Sequence, residues 1–185
     1  MPRDPHPALV SAPAPRNSFK IYEICVVCLG NICRSPMAEL LIRAELASSG
    51  LDSRVSVQSA GTGDWHLGEC MDRGAQAELR RRGYDGSSHR ARQIGPDWLG
   101  QFDLLLAMDA SNLRDLRQMA AGRPGLDDRI RLLRSFDPEA PAGAEVPDPY
   151  GGGPEEFACA FDLIEAAARG LAVAVAGALG GSPGA

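Results

Sequence analysis

Apolar positions along the chain fall into two alternating rhythms. Short runs rich in Val, Ile and Leu occupy about 21–27, 54–59, 103–107 and 129–133, and each reads as a buried strand. Between and after them, apolar residues recur at helical spacing over about 36–49, 71–83, 110–120 and 155–178. The order is βαβα throughout. It predicts a single three-layer α/β domain: a four-stranded parallel sheet flanked by helices, with ligands bound beyond the carboxyl ends of the strands.

Local signals refine the helices. Ser35 is a plausible N-cap, Pro36 suits the first helical position, and Glu39 supports the amino end. Met37, Leu40, Leu41 and Ala44 then form an inward stripe, and Gly50 stops the helix. In the last helix Phe157, Phe161, Ile164, Leu171 and Val175 form a core-facing stripe.

The pattern fades at both ends. Residues 1–18 hold five prolines and no apolar period, and 180–185 are turn formers, so both are expected to be disordered tails around a domain spanning 19–179. No apolar stretch resembles a secretory h-region, and Asp162, Glu165 and Arg169 interrupt the Ala/Val-rich end, so neither a signal peptide nor a membrane span is expected. A net charge of -5 disfavours a nucleic-acid coat. Five cysteines without an export signal fit thiol chemistry in a reducing, cytoplasmic compartment, with Cys25 and Cys159 expected as small core residues.

Where the first strand meets the first helix stands Cys28-Leu29-Gly30-Asn31-Ile32-Cys33-Arg34-Ser35. A thiol at a helix start meets free backbone N–H groups and the positive end of the dipole, which favour the thiolate and attract oxyanions. Cys-x5-Arg is the length of loop that wraps a tetrahedral oxyanion, with the arginine fork closing it. Gly30 and Asn31 tolerate the positive φ of an inward curl. The pair Cys25 and Cys28 has metal-ligand spacing, but the two positions face opposite sides of a strand and no second pair accompanies them, so no metal is expected.

Attack by such a thiolate on a phosphomonoester requires an acid for the leaving group. Asp137-Pro138 and Asp148-Pro149 compete for the role, both in a long aperiodic stretch, and composition favours Asp148 because Tyr150 and three glycines follow it.

Together with that loop, Ser59-Ala-Gly-Thr62, His89-Arg-Ala-Arg-Gln93, Met108-Asp-Ala-Ser-Asn-Leu-Arg-Asp-Leu116 and Pro147-Asp-Pro-Tyr150 resemble the low-molecular-weight protein tyrosine phosphatases over about residues 20–178. Trp65-His66 and Arg134-Ser-Phe-Asp-Pro138 most resemble actinobacterial members. The resemblance implies a protein tyrosine phosphatase acting on phosphotyrosine in proteins, without cofactor and as a monomer. Cys28 would be the nucleophile, Arg34 the phosphoryl ligand and Asp148 the general acid. Ser35 would donate to Cys28; Asn31, Ser59 and His89 would hold the loop; Asp109 would orient Arg34; Cys33 would pair with Cys28 as a reversible disulfide.

Leu29, Ile32, Trp65 and Tyr150 are expected to wall a slot deep enough to select an aromatic phosphate. The family usually has a second tyrosine where this chain has Gly151, which predicts a more open edge and a gain in efficiency on restoring tyrosine. Three alternatives are disfavoured. An arsenate reductase resembles this loop but needs closely spaced relay cysteines, whereas Cys70 and Cys159 are far apart; a protein-arginine phosphatase typically has threonine at position 32; and an inactive binding module need not retain both Cys28 and Asp148.

Overall fold

The computed structural model describes residues 10–17 and 20–180. Strands β1 (Tyr22–Cys28), β2 (Val55–Gly61), β3 (Leu104–Ala107) and β4 (Ile130–Leu132) pair in parallel in the order β2-β1-β3-β4. The helices are α1 (Arg34–Ser48), α2 (Arg73–Arg81), α3 (Pro96–Leu99), α4 (Ala110–Ala120) and α5 (Pro154–Ala178). The single-turn α3 and the 3-10 turns Asp127–Arg129 and Leu133–Phe136 are too short to give a period, and sequence reading passed over them.

Alternation along β1 divides the core. Ile24, Val26 and Cys28 join a cluster with α1, α2 and α5, whereas Cys25 and Val27 join a second cluster with α3 and α4 on the other face. Cys25 and Cys28 therefore lie on opposite sides of the sheet. Cys159 is exposed, contrary to its expected core place: Phe157, Ala160 and Phe161 take the inward face of α5 and leave position 159 outside.

Helix α1 is held between the sheet and α5, so its buried face is wider than the expected stripe. Met37, Ala38, Leu41, Ile42 and Leu46 are buried, and Leu40 and Ala44 lie at its margin. Gly50 ends the helix as expected. With φ 68° it lets its N–H reach Ala47 O at 3.0 Å and Leu51 N–H reach Leu46 O at 2.8 Å, the paired bonds of a Schellman stop.

Part of the expected amino-terminal tail is bound to the domain. Ala12 is buried, Pro13 O accepts from the Tyr22 hydroxyl at 2.9 Å, and Arg16 N–H donates to Asp103 at 2.8 Å. Residues 10–17 thus cross the amino ends of β1 and β3, away from Cys28. A proline-rich segment has no helical or strand period, so its docking is invisible to pattern reading. The remainder of that tail and residues 181–185 lie outside the described residues.

Candidate active site

The loop between β1 and α1 is shaped by close backbone contacts. Asn31 has φ 55°, the only non-glycine residue with positive φ among those described. Gly61, ending β2, lies so close that a Cβ there would fall 2.6 Å from Leu29 O. Helix α1 begins at Arg34 with Cys33 as its N-cap residue, so Ser35 and Pro36 are already helical. The expected cap at Ser35 is thereby corrected: its hydroxyl turns into the loop, 3.0 Å from Cys28 Sγ and 3.2 Å from Ala60 O. Asn31 N–H also donates to Cys28 Sγ at 3.3 Å. The sulfur is nearly buried, with the Asn31 N–H donating to it and the Ser35 hydroxyl within hydrogen-bond distance.

Asn31 ties this loop to the rest of the domain. Its amide nitrogen donates to Ser35 Oγ at 2.8 Å and Ser59 Oγ at 3.0 Å, and its amide oxygen accepts from Arg92 N–H at 2.8 Å. Its carbonyl faces His89 Nε2 at 2.7 Å. Burial lowers the His89 pKa, with the Asn31 contact opposing, so the neutral ring donating from Nε2 is the form that fits. Asn31 and Ser59 are fully buried, and every side-chain polar group of Asn31 is satisfied.

Arg34, 3% exposed, carries two carboxylates. Nη1 donates to Asp109 Oδ2 at 2.7 Å and to Val146 O at 3.1 Å, and Nη2 donates to Asp148 Oδ2 at 2.9 Å. Asp109 also accepts from Asn112 N–H at 2.8 Å through Oδ1, so one residue both caps α4 and holds the arginine. Arg34 Nε is buried and has no partner among the described residues.

These groups open into a cleft of about 240 Å³ lined by Cys28, Ile32, Arg34, Trp65, Asp148 and Tyr150 among others. Leu29, Gly30 and Cys33 also line it. Trp65 and Tyr150 stand at the rim, 70% and 60% exposed. Cys33 is buried with its thiol pKa raised by burial, and both Cys28 and Cys33 are free thiols. Every residue expected in the site is therefore within the loop, its supports or the cleft. Asp137, the other Asp-Pro candidate, instead binds Arg134 at 3.0 Å and caps a turn through Glu139 N–H.

Sequence reading assigned no place in the cleft to His66. It forms part of the wall, with Nδ1 2.7 Å from Glu69 Oε2 and its ring 6.2 Å from that of Tyr150. A Cβ on Gly30 would meet His66 Cδ2 at 2.9 Å, so the glycine makes room for this ring. Gly151 has φ 77°, and Gly152 N–H bonds Pro149 O at 2.9 Å, closing a turn that places positive φ at its third residue. A tyrosine at 151 would be strained there, which opposes the expected gain from restoring it.

Comparison with solved structures places this architecture among tyrosine phosphatases. A protein tyrosine phosphatase from Entamoeba histolytica superposes with a TM-score of 0.78 at 30% identity, covering 83% of this chain and 96% of that one. YfkJ from Bacillus subtilis superposes with a TM-score of 0.77 at 36% identity, covering 84% and 95%. The family model for "Low molecular weight phosphotyrosine protein phosphatase" matches residues 23–179, and the chain belongs to that family. It is 46% identical over 155 residues to a low molecular weight protein-tyrosine-phosphatase of Streptomyces coelicolor, covering 83% of this chain and 93% of the relative. It is also 46% identical over 149 residues to low molecular weight protein-tyrosine phosphatase A of Mycobacterium tuberculosis, covering 80% and 88%. Among the described residues no helix is long and apolar enough to cross a membrane.

Proposed function

We propose that this phosphatase hydrolyses phosphotyrosine in proteins through a cysteinyl-phosphate intermediate, with Cys28, Arg34 and Asp148 as its catalytic residues. The meeting of the Cys28 thiol, the buried Arg34 guanidinium and the Asp148 carboxylate in one cleft carries the reading, because a nucleophile, an oxyanion ligand and an acid face the same space. A phosphoryl group held by the loop N–H groups and Arg34 presents phosphorus to the Cys28 sulfur.

In the first step the sulfur–phosphorus bond forms as the phosphorus–oxygen bond to tyrosine breaks, and Asp148 gives its proton to the departing phenoxide. In the second, Asp148 takes a proton from water as the water oxygen attacks phosphorus. The sulfur–phosphorus bond breaks, inorganic phosphate leaves and the Cys28 thiolate is restored. Ser35 stabilises that thiolate through its hydroxyl, while Asn31, Ser59 and His89 keep the loop in its positive-φ form. Because Asp148 and the incoming phosphoryl group both seek Arg34, binding shifts the guanidinium from the first to the second. A slot walled by Ile32, Trp65 and Tyr150 supports an aryl ester over a shorter alkyl one. Action in the cytoplasm as a monomer is part of the same reading.

Turnover of an aryl phosphate and a phosphotyrosine peptide, with and without chelator, tests it. The expected outcome is chelator-insensitive hydrolysis that is abolished in Cys28→Ser and slowed in Asp148→Ala by about 10²–10⁴-fold. Persistent turnover in Cys28→Ser would sink the intermediate.

A further inference from the structure

A second groove adjoins the catalytic cleft. The two share Leu29 and Trp65 as walls, and the second runs on to Gln118, Met119 and Asp115 of α4, with a volume of about 400 Å³. Trp65 is the partition. Its ring covers Gly63 so closely that a Cβ there would fall 1.8 Å from ring Cζ3, so the glycine sets where the ring lies.

The polar groups of this groove are unbalanced. Asp115 is half-buried and its carboxylate makes no hydrogen bond or ion pair among the described residues, and no lysine, arginine or histidine lines the groove. The nearest arginines in sequence are engaged elsewhere: Arg114 donates to Ser111 Oγ at 3.1 Å, and Arg117 binds Asp127 at 3.0 Å. Asp64, next to Trp65 in sequence, is exposed and likewise has no ion pair among the described residues. Leu29, Met119 and the ring of Trp65 supply apolar surface beside the Asp115 carboxylate.

We propose that this groove is a substrate subsite for an arginine or lysine flanking the phosphotyrosine. The inference rests on the reading of the neighbouring cleft as the phosphotyrosine site. A long basic side chain fits both parts of the groove: its methylene stem covers Leu29 and Met119, and its cation reaches Asp115 while passing the indole face. A carboxylate in the same place meets Asp115 with no cation in the groove to offset it. One side chain separates the two sites and an extended peptide advances about 3.3 Å per residue, so the basic residue belongs one or two positions from the phosphotyrosine.

The test is kcat/KM on phosphotyrosine peptides carrying Arg, Ala or Glu at each position from two before to two after the phosphotyrosine, beside a small aryl phosphate. For wild type, Arg is expected to exceed Glu by about fivefold to tenfold at one of these positions, mainly through KM and less so at high salt. Asp115→Asn should level the preference, Asp115→Arg should invert it, and Gln118→Lys at an exposed position should weaken it. All three should leave aryl phosphate turnover within about twofold of wild type, which also reports that they are folded. Equal use of Arg and Glu peptides by wild type, or a preference that survives in Asp115→Asn, overturns the subsite while leaving the catalytic reading intact. Absence of turnover on every substrate overturns the catalytic reading, and the subsite with it.

Discussion

Replacing Asn31 probes how the loop is held. Asn31→Ala removes two donated bonds, to Ser35 and Ser59, and one accepted from Arg92. At about 1 kcal/mol net for each buried bond the loss is about 3 kcal/mol. Placing alanine at φ 55° adds about 1 kcal/mol. A total near 4 kcal/mol lowers the melting temperature of a domain this size by about 8–16 °C. Asn31→Gly lacks the backbone part and should be more stable than the alanine variant by about 1 kcal/mol. Asn31→Asp keeps the bond from Arg92 but turns the Ser35 hydroxyl away from Cys28, so its turnover should fall further than its stability. Denaturant unfolding with kcat/KM on an aryl phosphate measures both. An alanine variant that loses less than about 1.5 kcal/mol with unchanged kcat/KM would refute the assignment of loop shape to this network.

Other outcomes follow from the same geometry. Gly151→Tyr should lower kcat, because relieving its strain moves the turn that carries Asp148, whereas Gly151→Asn should be tolerated better; a faster tyrosine variant would count against the turn. Deleting residues 1–17 removes the Pro13 and Arg16 contacts and uncovers the Ala12 site, so denaturant stability should fall by about 2 kcal/mol while kcat stays within about twofold; unchanged stability would restore the tail reading. His89 has a folded pKa below its ordinary 6.5, with Glu39, Arg90 and Arg92 as its charged neighbours. The folded state binds that proton less readily than the unfolded one, so its contribution is complete above pH 6.5 and is lost as pH falls from there through the folded value. Stability of wild type should decline over that window more steeply than that of His89→Gln, which retains a donor toward Asn31, and parallel curves would refute it.

Most of the scaffold is written in periodicity. All four strands lie within a residue or two of their expected places, β3 as an unbroken run buried on both faces and β2 as an alternation of buried and half-buried positions. The helix start at Arg34 was misplaced because Ser35 has a capping side chain, and only the fold shows that hydroxyl bonded to Cys28 instead. Pairing of Arg34 with Asp148 spans 114 positions, and no local pattern carries it; the family resemblance made the choice between Asp137 and Asp148. Ala12 and His66 were missed for a common reason. Each is placed by tertiary contact in a stretch without period.

The central position of β1 has a consequence for how the enzyme is made. Cys28 and Arg34 leave the ribosome early, but the loop between them depends on Gly61 of β2, on Asp109 after β3 and on Asp148 beyond β4. No nascent chain ending before Asp148 holds a complete site. Turnover is therefore acquired only when the longest-range contacts close, and a regained rate reports the folding of the entire sheet.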